Sequence, residues 1–331
     1  MSIDWPRFAQ LIQSHQNFLL VSHIRPDCDA LGSELGMAII LESLGKNVRI
    51  VNGHVNPPNL AFIDPEQRIK TIGVNCTPEE ALAGVDLIMI LDTSAWAQIG
   101  PMTDVIKNAT CAKCVLDHHV GEDDLGAELF KNVKAEAAGR LVVEAADALG
   151  VKLTPEIATP LFAALATDTG WYRFGSADEY TYRIAARLIE AGAKPAVIYG
   201  KLYEQDTLGR LKLRGRILSR TAAELDGRLV WTYVLKEDFP ETGAVPSDTE
   251  DAVNLTLGIA GTQFAVILVE QQAGGFKISF RSRCAVNCNE LAARFGGGGH
   301  KAAAGAFLAG SFDEVREKIL DVARSAVQSS Q

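Results

Sequence analysis

No uncharged apolar run in this 331-residue sequence reaches the ~18 residues that a membrane-spanning helix needs. Met1-Ser2-Ile3-Asp4 has neither the basic start nor the apolar stretch of an export signal, so a cytoplasmic location with reduced thiols is expected. Cysteine is sparse: the six residues at 28, 76, 111, 114, 284 and 288 are too scattered for a disulfide scaffold. Cys111-Ala-Lys-Cys114 has no second CxxC and leads into an apolar strand, so it reads as structural rather than as a redox pair or half a zinc site. There is no internal repeat, and the only low-complexity tract is the four glycines at 296–299. Basic charge is also short, with 32 Lys and Arg against 41 Asp and Glu, a formal net charge of -9. That balance excludes a duplex-DNA coat and a membrane-surface binder, both of which need a basic face. Small phosphorylated substrates remain, because a bound metal supplies positive charge locally.

What is present is an ordinary soluble composition, 47% hydrophobic and 22% charged, long enough for two domains. The charge is uneven. Residues 1–190 carry a net -10, residues 191–222 a net +5 and residues 223–331 a net -4. In the first stretch, apolar runs at 18–23, 47–52, 86–92 and 114–117 read as strands. They alternate with helical patterns at 30–44, 135–149 and 155–167, which indicates a parallel sheet in an α/β layer. Residues 191–222 read as a basic helical linker. Lys212, Arg214, Arg216 and Arg220 form either a solvated helix face, the favoured reading, or a phosphate-holding one. Residues 223–331 read as a second, smaller α/β domain. It has strands at 228–235, 264–270 and 276–283, helices at 287–295 and 312–327, and a turn at Gly274-Gly275.

The residues with chemistry gather at strand ends. His23-Ile-Arg-Pro-Asp27-Cys-Asp29 follows the first strand, Asp92 ends the third, and Asp117-His118-His119 ends the fourth; Asp168 follows an apolar helix. Ligands of open α/β sheets bind outside the carboxyl ends of the strands, so these four stretches can converge. Each taken alone has a plainer explanation, and Asp29 or Asp168 can be a helix N-cap. Their joint order argues for a site, whereas His15 and His54 are assigned no role. Imidazole and carboxylate without thiolate suit Mn²⁺, Mg²⁺ or Fe²⁺ better than structural zinc. Two such ions about 3.5–4 Å apart activate water and steady the leaving oxygen in a displacement at phosphorus. In the second domain, Arg281 and Arg283 stand two apart on a predicted strand and suit a phosphate. Gly297, Gly298 and Gly299 let backbone approach a ligand, and His300 follows them. The alternative for the glycines is a flexible turn.

These motifs resemble those of the DHH phosphoesterases. Gly296-Gly-Gly-Gly-His300-Lys-Ala-Ala-Ala-Gly305, preceded by Phe280-Arg-Ser-Arg283, resembles the DHHA1 substrate domain. Size and motif set are similar to the short NrnA-type branch, the nano-RNases and pAp phosphatases. The resemblance implies two Mn²⁺ ions, with Mg²⁺ as a substitute. His23, Asp27 and Asp92 would bind one; Asp29, Asp92, His118 and Asp168 would bind the other, with Asp92 bridging. His119 would face the scissile phosphate, and Asp117 would orient a histidine. The implied activity is hydrolysis of very short single-stranded RNA ends and of 3′-phosphoadenosine-5′-phosphate (pAp). No duplex DNA or membrane partner is implied, and a homodimer is left open. The nearest rival is a cyclic or linear dinucleotide phosphodiesterase acting on c-di-AMP, pApA or pGpG; a RecJ-like short single-strand exonuclease is another. From other classes come a nucleotide-binding regulator that has lost catalysis and a purely structural α/β protein. The regulator would lack a metal ligand, and none is missing.

Overall fold

The computed structural model describes residues 3–121, 123–250 and 252–330. They form two units that divide between Gln205 and Asp206, inside the basic stretch.

The first unit carries β1 (Asn17–Val21), β2 (Asn47–Asn52), β3 (Ile69–Thr71), β4 (Leu87–Leu91), β5 (Ala112–Asp117) and β6 (Glu128–Lys131). Its helices are α1 (Trp5–Ser14), α2 (Cys28–Ser43), α3 (Pro78–Leu82), α4 (Trp96–Ile99), α5 (Met102–Asn108), α6 (Ala138–Ala148), α7 (Pro155–Asp168), α8 (Glu179–Glu190) and α9 (Pro195–Tyr203). The sheet is parallel throughout, in the order β3-β2-β1-β4-β5-β6. Every residue of β4 is buried because both faces are covered. Phe18, Leu20, Met89, Leu91 and Leu116 join the core under α2, α6 and α7, while Leu19, Val21, Ile88, Ile90 and Val115 join the core under α5. The β3 and β6 strands escape a sequence reading because they are short edge strands interrupted by charge. β1 stops at Val21, two residues before the expected end, because Ser22 N–H leaves the ladder for Asn52 Oδ1 at 2.9 Å. His23 is thereby released into a loop. The α2 helix packs closely on α7 through glycine: a Cβ on Gly32 would lie 2.4 Å from the Pro160 carbonyl oxygen, and one on Gly36 2.5 Å from Leu161.

The second unit carries α10 (Leu208–Ser219), α11 (Asp238–Thr242), α12 (Ala252–Thr256), α13 (Cys288–Ala293) and α14 (Phe312–Ser329). Its strands are β7 (Ala222–Glu224), β8 (Leu229–Val234), β9 (Phe264–Glu270), β10 (Phe276–Ser282), β11 (Gly298–Gly299) and β12 (Ala303–Leu308), in the order β11-β12-β10-β9-β8-β7. Only the β8–β9 pair is parallel among these described strands. The basic helical stretch consists of two helices. Thr207 caps α10 by accepting from Arg210 N–H at 3.0 Å, which starts a new helix four residues after α9 ends. Of the four basic side chains Lys212, Arg214, Arg216 and Arg220, the three arginines are ion-paired, as is Arg210. Asp206 pairs with Arg210 and Arg214, Asp238 with Arg216 and Arg220, and Glu241 with Arg216.

Candidate metal and phosphate site

The chain runs outward from β1 to β2 and β3, then returns to β4 on the other side of β1. That reversal opens a crevice at the carboxyl ends of β1 and β4. His23 leaves β1, Asp92 leaves β4, and His118 leaves β5 into this crevice. Asp92 is almost wholly buried and holds φ +60, a left-handed conformation unusual for a residue other than glycine. Its two oxygens diverge: Oδ2 lies 3.3 Å from His23 Nε2, and Oδ1 lies 3.2 Å from His118 Nε2. Asp27 Oδ1 stands 3.8 Å from His23 Nε2, and Asp168 Oδ2 stands 3.8 Å from His118 Nε2.

Two expected donors have local work as well. Asp27 is the N-cap of α2, accepting from the N–H groups of Asp29 and Ala30 at 3.0 Å. Asp29 lies inside the first turn of α2 and caps a different helix, accepting from Ala138 N–H at 2.7 Å and Gly139 N–H at 2.8 Å at the start of α6. Its Oδ2 remains 3.7 Å from His118 Nε2. Three groups of donor atoms result: His23, Asp27 and Asp92; Asp29, His118 and Asp168; and Asp92, His118 and His119. Asp92 and His118 each belong to two of them.

The charge pattern of these groups fits a cation. Burial disfavours a charged His23, yet Asp27 and Asp92 outweigh it and lift the imidazole to about 11. The same contest lifts His118 to about 10, through Asp92, Asp29 and Asp168. Burial, reinforced by Asp92 and Asp168, pushes Asp29 well above the usual carboxylate range, and burial pushes Asp168 up to about 6. The same carboxylates that favour a charged imidazole favour a cation placed among them. Asp92 Oδ1 is buried without a hydrogen-bond partner among the described residues, an acceptor with a lone pair to spare. Oxygen and imidazole donors converging on such an atom fit hard or borderline divalent ions.

Asp117 does not join the donor groups. It is fully buried, and its Oδ1 accepts from His119 Nδ1 at 2.8 Å and from the N–H groups of His118 at 2.8 Å and His119 at 3.1 Å. Its Oδ2 accepts from Ser94 Oγ at 2.7 Å and faces Lys131 Nζ at 3.4 Å. Burial opposes its charge, but His119 and Ser94 overcome it and hold the carboxyl at about 2. His119 in turn is raised, chiefly by Asp117. Its half-exposed ring lines a cavity of about 530 Å³ together with His23, Asp27, Asp92 and Gln98.

Sequence reasoning missed Ser94, Lys131 and a buried network behind His23. Glu34 Oε2 accepts from Asn52 Nδ2 at 2.8 Å, and Asn52 Oδ1 accepts from Ser22 N–H. Ser94 lies two residues after Asp92 in the sequence, but the other partners meet only through strand register, as Lys131 does, or through helix-on-sheet packing, as Glu34 does. Burial pushes the Glu34 carboxyl from 4.5 up to about 8. Between those pH values the folded chain keeps a proton that the unfolded chain has lost, so stability falls as pH rises. Glu34→Gln is therefore expected to melt higher than wild type at pH 8, by a margin on the order of 2–4 kcal/mol in stability, and level with it near pH 4.5. Thermal melts in EDTA at the two pH values measure this, and an equal gap at both would contradict it.

In the second unit, Arg281 lies on β10 but Arg283 lies past its end, so the two do not share one strand face. Both guanidinium groups nevertheless reach the segment around α12. Arg281 Nε donates to Asn254 Oδ1 at 3.2 Å, and Arg283 Nη1 donates to the Leu257 carbonyl at 2.8 Å. The glycines have an internal reason to lack side chains. A Cβ on Gly297 would stand 2.1 Å from the Gly305 carbonyl oxygen, and one on Gly299 2.6 Å from that of Ala303, whereas Gly298 meets nothing closer than 3.7 Å. His300 is exposed at the tip of the β11–β12 hairpin, where its N–H donates to the Ala303 carbonyl at 2.7 Å.

Residues 17–165 match the family model for the N-terminal domain of the DHH family, and residues 226–329 match the DHHA1 domain. The chain is 31% identical over 309 residues to a Thermus thermophilus protein named bifunctional oligoribonuclease and PAP phosphatase NrnA, covering 92% of this chain and 88% of that one. A Bacillus subtilis protein of the same name is 28% identical over 315 residues, covering 94% and 95%. Among solved structures, an exopolyphosphatase-related protein from Bacteroides fragilis superposes with a TM-score of 0.82 at 27% identity, covering 98% of this chain and 95% of that one.

Proposed function

The chain belongs to the DHH phosphoesterase family with a DHHA1 domain, and from that premise we propose that it hydrolyses very short oligoribonucleotides to mononucleotides and pAp to AMP. The observation that carries the reading is Asp92, whose diverging oxygens face His23 on one side and His118 on the other. We assign two Mn²⁺ positions around it. His23, Asp27 and Asp92 would hold the first; Asp29, His118 and Asp168 would hold the second, with Asp92 Oδ1 beside His118 as a shared donor. Such a pair supplies, when bound, acidification of water and neutralisation of phosphoryl charge.

The chain's own groups do the rest. Asp117 accepts from Nδ1 of His119 and raises the ring's affinity for a proton, so that the imidazolium donates from Nε2 to a phosphoryl oxygen. Asp29 ties the second group of donors to the α6 N-terminus, so the donors are held before substrate arrives. Water attacks phosphorus in line, the ester P–O bond breaks, and the leaving oxygen ends protonated; no covalent enzyme intermediate is needed. Arg281, Arg283, His300 and the 297–299 backbone grip the terminal nucleotide. A cytoplasmic location goes with this reading. No helix among the described residues is long and apolar enough to cross a membrane.

Manganese-dependent turnover on pAp, pGpG, a 5-mer RNA, a 24-mer RNA and pyrophosphate tests the assignment. The expected order places pAp and the 5-mer far above the 24-mer and pyrophosphate. Dominant cleavage of the 24-mer or of pyrophosphate would overturn it.

A further inference from the structure

Beyond Arg281, the second sheet carries cations and aromatic surface that nothing above uses. On β10, Lys277, Ser279 and Arg281 alternate away from the buried Phe276, Ile278 and Phe280. The neighbouring β12 places Phe307 opposite Lys277, Gly305 opposite Ser279 and Ala303 opposite Arg281. The two small residues keep the middle of this strip low, and Phe307 at its far end is 54% exposed. Past Phe307 the sheet edge opens into a groove of about 540 Å³, lined also by Arg294, Phe295 and Lys318. The Lys318 ammonium lies 5.7 Å from the centre of the Phe295 ring. Glu314, the acid among the groove's lining residues, is already engaged: it accepts from the N–H and Oγ of Ser311 at 2.9 and 2.7 Å. Nearer Arg281, Thr249 and Glu250 line the inner wall. Among the described residues lining the strip and groove, the four cations Lys277, Arg281, Arg294 and Lys318 stand against two acids, Glu250 and Glu314, in a domain whose overall charge is negative.

We propose that this strip, with the groove beyond it, is the track for the body of a single-stranded RNA whose terminal phosphate sits at Arg281. The inference rests on the hydrolase reading and names a binding site that the reading leaves open. Exposed aromatic faces stack bases of any sequence, and cations beside them follow the phosphates. Lys277 and Arg281 are four strand residues apart, ~13 Å, which is roughly the run of four stacked bases at ~3.4 Å each. A pentanucleotide therefore reaches Phe307, whereas pAp ends before it.

The test uses the full chain with Phe307→Ala and with the double replacement Lys277→Ala, Lys318→Ala. A labelled pentaribonucleotide is titrated by fluorescence anisotropy in EDTA at low salt, and pAp hydrolysis is assayed with manganese. Phe307→Ala is expected to weaken pentamer binding about tenfold. The double variant is expected to weaken it severalfold and to flatten the dependence of log affinity on log salt by about 1–2 units. Both variants should keep pAp hydrolysis within about twofold of wild type. Unchanged pentamer affinity in both variants overturns the track, and so does an equal loss on pAp. Wild type that binds the pentamer through Phe307 yet cleaves nothing refutes the hydrolase reading and leaves the track standing.

Discussion

Asp92→Ala is expected to lower turnover on both pAp and short RNA by ~10³-fold or more and to leave the purified protein short of manganese. Asp92 is the carboxylate common to two of the donor groups, so its loss opens both at once. No neighbour can substitute. Asp27 is held by the α2 N-terminus, Asp29 by the α6 N-terminus, and Asp117 by five donors of its own. Asp92→Asn separates chemistry from folding. Asparagine tolerates the left-handed backbone that Asp92 adopts and keeps the size of the side chain, but it brings no charge. It should therefore melt close to wild type in EDTA while losing both the metal and the activity. Metal analysis after manganese loading, set beside the melts and the two assays, decides the matter. Full manganese content with wild-type turnover in either variant would remove Asp92 from the centre of the site.

The contrast between what the sequence discloses and what it hides follows from register. β1, β4 and β5 are buried on both faces, so their apolar runs are continuous and their ends are legible, and with them His23, Asp92 and Asp117. Lys131 lies on a charged edge strand and reaches Asp117 only because β5 and β6 pair in parallel with those two residues opposite. No spacing along the chain encodes that contact. Glu34 and Asn52 meet for a similar reason, one on a helix and one at a strand end. Capping is hidden in a different way. Asp29 was open to being read as an N-cap, and it is a cap, but of a helix that begins 109 residues later. In the second unit, the glycine run was visible, but its packing against β12 was not. β12 is Ala303-Ala-Gly-Ala-Phe-Leu308, mostly small residues with no strand-like alternation.

Asp117→Asn is the second large expected effect: a fall in kcat of ~10²–10³, with bound manganese largely retained. The carboxylate suits its place because every group facing it is a donor, His119 and two N–H groups on one oxygen and Ser94 and Lys131 on the other. An amide must turn its own N–H₂ toward one of those sets, and either choice sets donor against donor. The imidazole of His119 then loses the partner that fixes its tautomer and raises its affinity for a proton. A protonated His119 donating to the phosphate gives up its proton at lower pH without Asp117, so the alkaline limb of the kcat profile moves to lower pH. A purely structural role for Asp117 would lower the amount of folded enzyme and leave that limb where it was. His119→Ala supplies the remaining control. If Asp117 acts through His119, adding Asp117→Asn to His119→Ala costs little more, as for residues that work as one unit. A further loss of tenfold or more in the double variant, measured as kcat on pAp, would instead route the effect through Lys131 and Ser94, the two partners on the other oxygen.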